Sequence, residues 1–378
     1  MNKKILIFTE DWAGSGHKMA AHALQQALGE RSPHHDVQII GGLDVASPLL
    51  RQVSRASYMS SLRYAPGLWN WLYKRDKTWN RALKRPLGKV LGRKLSRRVI
   101  EQEQPDTVVC THAYCLSALV EAKRRAATPF RLGSVMTDFH VNSFWVSPEI
   151  DFYVVGHQEM GKQLEERFGV DSRKIYVNGI PVRTGFAKER GRKKQEWKEA
   201  IGLKPNMFTI LVSNGEAGYG DVEPLVKRLL QLGRPTQIVV VTGTNQALLK
   251  SLREQYSGDL SPHGLHLLGY VSSMWEWMGA ADVIITKPGG LTCAESLAMG
   301  TPMILYQPLP GQEQKNSEFL QNQGVAVQAT SIDEIMTILN RWQIEKAQWE
   351  NLCLRTSRLG MPDSAYRTAD LVLAEAYV

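Results

Sequence analysis

The chain has 378 residues, 43% of them hydrophobic and 22% charged, with a net charge of +9, a length that allows two or more domains with substantial cores. Its four cysteines (Cys110, Cys115, Cys293, Cys353) lack CxxC spacing, no charged-then-apolar leader precedes the first strand, and no apolar run approaches the ~18–20 residues of a membrane-spanning helix. A zinc centre and a bilayer-spanning segment are thereby disfavoured, and the expectation is a reduced, cytoplasmic protein whose membrane contact is peripheral.

Residues 3–9 read as a buried parallel strand, and Gly14-Ser15-Gly16-His17 then leads into the apolar-spaced helix 19–28, a first βα unit. A second strand is expected over 37–40. Between Arg51 and Arg98 stand fourteen Lys/Arg residues against the single Asp76, a segment charge of +13 that leaves the rest of the chain at −4. Tyr58, Tyr64, Trp69, Trp71, Tyr73 and Trp79 are interleaved with these cations. Trp69, Trp71, Lys74, Arg75, Trp79, Arg81, Lys84 and Arg85 are therefore expected at an anionic lipid surface, where rings anchor at headgroups and cations meet phosphates. Single-stranded nucleic acid would suit the same mixture, but is not the expected partner. Strands follow at 107–110, 131–137, 152–155 and 175–177, with a helix over 160–168, an alternation that implies a parallel sheet covered by helices.

A charge-rich stretch without strand pattern, 184–204, is expected as a linker after an N-terminal domain 1–183. A second strand series runs through 208–212, 237–241, 265–268, 283–286 and 303–306, giving a C-terminal domain 205–358. The last helix, 359–378, has no obvious partner strand and is expected to pack back across the domains. The fold class is α/β, with two doubly wound, Rossmann-like domains facing a cleft at their strand carboxyl ends.

The densest chemistry lies at Thr286-Lys287-Pro288-Gly289-Gly290-Leu291-Thr292, where a β-branched strand runs through a glycine pair into a helix. Backbone N–H groups and a helix N-terminus there suit a diphosphate. Glu295, one turn on, has the acceptor chemistry for ribose hydroxyls, and Gln312-Glu313 combine the donors and acceptors that sugar hydroxyls need. An ordinary strand-loop-helix joint explains the glycines but leaves the second polar cluster without a reason.

Six motifs in order, Gly14-Ser15-Gly16-His17, Thr137-Asp138 with Trp145, Asn178-Gly179-Ile180-Pro181-Val182-Arg183, Leu268-Gly269-Tyr270-Val271, Thr286-Lys287-Pro288-Gly289-Gly290 and Pro310-Gly311-Gln312-Glu313-Gln314-Lys315-Asn316, make the chain resemble the GT-B glycosyltransferases. The resemblance is to the family of the diacylglycerol glucosyltransferases and monogalactosyldiacylglycerol synthases, glycosyltransferase family 28-like. It implies inverting transfer of a hexose, glucose favoured, from a UDP-sugar to a lipid hydroxyl, with no metal ion and no cofactor beyond the donor. On that resemblance Tyr270 and Val271 would contact uracil, and Ser213, Asn214, Gly215, Glu216 and Gly218 would cross the phosphates. Lys287, Gly289, Gly290 and Thr292 would meet the diphosphate, Glu295 the ribose, and Gln312, Glu313 and Asn316 the sugar hydroxyls.

Proton removal from the acceptor falls to His17, a near-neutral imidazole on the first βα loop, or to Asp138, which either orients His17 or is itself the base. Gly16, His140 and Trp145 are expected on the acceptor side. Relatives with lipid acceptors carry a histidine closer to that tryptophan, so its displacement to His140 bears on the acceptor more than on the donor. A soluble acceptor, a UDP-sugar epimerase and a non-catalytic lipid- or nucleic-acid-binding protein are the alternatives; the epimerase lacks a paired-carboxylate pattern.

Overall fold

The computed structural model describes residues 2–10, 15–42, 45, 91–216, 218, 220–258 and 260–374. The expected membrane-facing residues Trp69, Trp71, Lys74, Arg75, Trp79, Arg81, Lys84 and Arg85 lie outside them, as does Gly14. The chain divides into two compact units, Met1–Thr184 with Pro310–Gln312 and Asp363–Val378, and Gly185–Leu309 with Glu313–Pro362.

The first unit holds β1 (Lys4–Thr9), β2 (Asp36–Gly41), β3 (Thr107–Cys110), β4 (Arg131–Val135), β5 (Phe152–Val155) and β6 (Ile175–Val177) in the order β2-β1-β3-β4-β5-β6. Every pairing is parallel, for instance Phe8 opposite Cys110. Residues Ile5 to Phe8 are all buried because helices cover both sheet faces. Ile5 and Ile7 pack with Ala21, Leu24 and Leu28 of helix α1 (Gly16–Arg31), while Leu6 and Phe8 pack with Leu116 and Leu119 on the opposite side. The period of two along the strand is thus read out by two separate cores. The C-terminal helix Ser364–Leu373 lies on α1, adding Ala365, Ala369 and Val372 to that first core. Arg31 pairs with Asp370 at 2.9 Å, the Tyr366 hydroxyl donates to Glu30, and Lys3 Nζ donates to the Leu373 carbonyl at 2.8 Å.

The second unit holds β7 (Phe208–Ser213), β8 (Thr236–Val241), β9 (Gly264–Leu268), β10 (Val283–Thr286), β11 (Met303–Tyr306) and β12 (Ala326–Ala329), ordered β12-β11-β10-β7-β8-β9 and again all parallel. This is the Rossmann order. The edge strand β12 has no counterpart in the sequence expectation. Ala-Val-Gln-Ala contains one β-branched residue, and its half-covered position at the sheet edge demands little more.

The segment expected as a linker carries two helices, Gly185–Lys188 and Lys194–Ala200, grouped from Gly185 onward with the second unit. Lys194 and Lys198 converge on the buried carboxylate of Asp282 at 3.1 and 2.7 Å, and Thr209 N–H donates to the same carboxylate at 2.8 Å. Lys198 Nζ also donates to the Met207 carbonyl at 2.8 Å. Charge from the segment expected as a linker is thus held inside the fold, where the buried Lys198 and Asp282 pair with each other. Among the described residues no helix is long and apolar enough to cross a membrane.

Candidate active site

In each sheet the strand order reverses once, and ligands of open α/β sheets bind outside the strand carboxyl ends at that reversal. In the first unit the reversal lies between β1 and β3; in the second it lies between β7 and β10. The segments that follow β1, β7 and β10 carry His17, the Asn214–Gly218 loop and the Lys287–Glu295 stretch singled out from sequence.

His17 is the second residue of α1, and its Nδ1 is 3.2 Å from the Thr111 carbonyl and 2.5 Å from Thr137 Oγ1. A carbonyl only accepts, so Nδ1 carries the proton and the neutral ring keeps its lone pair on Nε2. Thr137 Oγ1 in turn donates to the Thr111 carbonyl at 3.3 Å, and Thr111 Oγ1 donates to the His17 carbonyl at 3.1 Å. These bonds tie the first turn of α1 to the starts of the loops after β3 and β4. Burial lowers the His17 pKa, against the opposing pull of the Asp138 carboxylate and of the bond to Thr111. The helix N-terminus beneath the ring also disfavours an imidazolium.

Asp138 is 8% exposed and accepts from Gln312 Nε2 at 2.9 Å, Gln312 belonging to the part of the 310–312 turn grouped with this unit. Gly16 opens α1, and His140 is partly buried on the segment after β4. Trp145 is 1% exposed and sits in the hydrophobic core, at the end of a short helical turn capped by Asn142. The indole expected on the acceptor side is therefore a core side chain that braces the segment carrying Asp138 and His140. His112, absent from the sequence reading, stacks edge-on against His17 with ring centroids 4.4 Å apart. Its sequence signal was the position between a buried strand and the helix that follows it.

In the second unit the Gly289–Gly290 pair opens the Gly290–Met299 helix, with Gly289 at the N-cap in extended backbone. Nothing among the described residues lies within 4 Å of the position a Gly289 Cβ would take. The first N–H groups of the helix have no carbonyl partner within it, so this end offers donors to an anion across open space. Lys287 is partly buried beside it, Thr292 lies in the first turn, and Glu295 is 7% exposed in the second. Asn316 is fully buried, and its Nδ2 donates to the Pro288 carbonyl at 3.0 Å. The expected reader of sugar hydroxyls thus has an amide that holds the glycine turn. Glu313 accepts the Leu309 N–H at 2.7 Å, which folds the 309–313 turn onto its own helix.

Ser213 ends β7, and Asn214, Gly215, Glu216 and Gly218 follow in a loop pressed against the loop after β8. Thr244 N–H donates to the Glu216 carbonyl at 2.7 Å, and a Cβ on Gly243 would stand 2.0 Å from that oxygen. Gly243 and Gly218 have φ of 60° and 58°, the left-handed region that glycine enters without strain. Gln307, at the end of β11, shares that region with φ 52°, and its Nε2 donates to Asp221 at the far end of the same loop. Neither Gln307 nor Asp221 was legible as a site residue, because a backbone angle leaves no trace in composition. Tyr270, 55% exposed, and Val271 follow β9 on the same carboxyl side of the sheet. Trp275 packs against Phe186, with centroids 5.8 Å apart, and Cys293 is buried, so both belong to packing.

Comparison with known proteins shows the family and the fold. The family description "Monogalactosyldiacylglycerol (MGDG) synthase" matches residues 17–182, and "Glycosyltransferase family 28 C-terminal domain" matches residues 213–339. A protein of Bacillus licheniformis named processive diacylglycerol beta-glucosyltransferase is 31% identical over 337 residues, 89% of this chain and 85% of that protein. Its namesake in Bacillus pumilus is 30% identical over 380 residues, covering 98% and 96% of the two chains. Among solved structures, Acinetobacter baumannii MurG superposes with a TM-score of 0.64 at 14% identity over 98% of this chain and 99% of its own. UDP-GlcNAc 2-epimerase from Neisseria meningitidis, bound to UDP-GlcNAc, reaches 0.60 at 14% identity over 99% and 100%. At such identity the structures carry the fold, two Rossmann-like units, and leave activity to the closer sequence relatives.

Proposed function

This chain belongs to the glycosyltransferase family of the diacylglycerol glucosyltransferases and monogalactosyldiacylglycerol synthases, and from that premise we propose that it transfers glucose from a UDP-sugar to a lipid hydroxyl such as that of diacylglycerol, at a membrane surface. The transfer inverts the anomeric configuration and proceeds without a metal ion. The observation that carries the proposal is the His17 frame, in which Nδ1 is committed to Thr111 and Thr137 and the neutral ring keeps its lone pair on Nε2.

In this reading the acceptor oxygen attacks the anomeric carbon as its proton passes to His17 Nε2, and the bond from that carbon to the β-phosphate oxygen breaks with its electron pair leaving on UDP. Asp138 stabilises the imidazolium that forms, and Gln312 orients Asp138. Charge arriving on the diphosphate is met by the N–H groups after Gly289, by Lys287 and by the Ser213–Gly218 loop, donors that need no rearrangement during the reaction. Tyr270 and Val271 take the uracil, Glu295 the ribose, and Glu313 the sugar hydroxyls, while Asn316 supports the glycine turn. The +13 segment between Arg51 and Arg98 docks the enzyme to anionic lipid, on the cytoplasmic face.

Incubation with a panel of UDP-sugars and a mixed lipid extract, followed by mass spectrometry, tests the proposal. A hexose added to diacylglycerol from UDP-glucose is the expected product. UDP release only with soluble acceptors would reject the lipid, and His17→Ala with near-parental turnover would reject the base.

A further inference from the structure

His112 is the N-cap of the Ala113–Arg125 helix, and its Nδ1 accepts the Tyr114 N–H at 3.2 Å. An imidazole that accepts through Nδ1 carries its proton on Nε2 while neutral. Burial and the adjacent His17 push its pKa well below the ordinary histidine value, so neutral is the form the fold retains. The two rings meet edge-on, with 4.4 Å between centroids and 77° between planes. β1 and β3 are neighbours in the sheet, with Phe8 opposite Cys110, and the Cys110 thiol donates to the His112 carbonyl at 3.1 Å. The backbone on which His112 stands is therefore fixed from below. Asp138, after β4, is the charged group whose field acts on His17 from another element, and it favours the imidazolium; Lys18 adjoins His17 on α1 itself.

We propose that His112 is a positioning residue for His17: its ring walls one side of the imidazole, keeps water from that side, and holds Nδ1 against Thr111 and Thr137 so that Nε2 remains the basic atom. The inference rests on the reading of His17 as the base. It assigns to a neutral neighbour a share of the burial that outweighs the pull of Asp138 toward the imidazolium.

Two substitutions separate the ring from the cap. His112→Asn keeps an N-cap acceptor and loses the ring, whereas His112→Phe keeps a ring and loses the cap. Melting temperature, the pH profile of kcat/KM, the donor KM and the NMR titration of isotope-labelled His17 are measured for both, with His17→Ala alongside. The expected His112→Asn protein melts like the parent, keeps its donor KM and loses roughly tenfold in kcat, a part of what general-base catalysis supplies. Its His17 pKa and the acidic limb of its profile both move up, because water now solvates the imidazolium. His112→Phe keeps the limb where the parent has it. Parental kcat and parental His17 titration in His112→Asn overturn the proposal, even when His17→Ala is inactive. Should His112→Asn melt early, the Phe variant decides: a limb displaced in it as well would assign the effect to the cap and overturn the proposal. An active His17→Ala overturns the base reading instead, and the NMR titration still tells whether His112 governs the state of His17.

Discussion

A single histidine next to a polar loop is ambiguous until its neighbours are known, and His17 illustrates how three of them decide its chemistry. Thr111 and Thr137 select the tautomer, while burial and Asp138 act on its pKa in opposite directions. Because burial is the larger effect, the acidic limb of kcat/KM is expected below the ordinary imidazole value of about 6.5. Replacing Asp138 with Asn removes the only opposing charge among these groups, so the limb should move further down while kcat falls, as the imidazolium loses its partner. A limb that rises in Asp138→Asn would contradict this assignment. His112 adds a stability signature. Its folded-state pKa is depressed, so the unfolded chain binds the proton first as pH falls, and stability present above about pH 6.5 declines below it. Thermal melting between pH 7.5 and 5 should show that decline, and His112→Asn should show less of it.

At the scale of elements, the strands were legible because they are apolar on both faces, whereas their partners were not. Gly133 on β4 faces the Phe152 ring of β5, and a Cβ there would stand 2.1 Å from it. Gly133→Val is accordingly expected to destabilise the first unit by about 1–3 kcal/mol, the range for overpacked cores, as read by denaturant midpoint. The helix Lys194–Ala200 stands where the sequence offered only a run of charges. Asp282→Asn leaves Lys198 buried without its counter-charge, at a cost of roughly 3–5 kcal/mol, and unchanged denaturant stability would show that the pair is dispensable. Loop shape is a third case. Gly243→Ala drives a Cβ into the Glu216 carbonyl at a positive φ, so the melting temperature should fall, and donor KM should rise as well if the Ser213–Gly218 loop binds phosphate.

At the scale of the molecule, the chain returns to its first unit after building the second. The Ser364–Leu373 helix closes the core over α1, and a chain stopped after Pro362 should expose Ala21, Leu24 and Leu28 and melt at lower temperature than the parent. Charge is also a whole-molecule property. With +13 in one segment and −4 elsewhere, binding to anionic vesicles should exceed binding to neutral ones and weaken as salt shortens the Debye length from ~10 Å at 0.1 M. Equal sedimentation with both vesicle types would remove the docking proposal.

By itself the sequence determined the α/β class, eleven of the twelve described strands, the glycine turn before the Gly290–Met299 helix and the family, since strand burial and glycine spacing are local patterns written in consecutive residues. Tertiary structure alone decided that Trp145 is core, that Asn316 supports the turn through Pro288, that Gln307 reaches Asp221 and that His112 meets His17. These facts depend on which strands lie side by side. β1 and β3 are separated by some hundred residues in the chain and by one ladder of hydrogen bonds in the sheet, so no local pattern could bring their two histidines together.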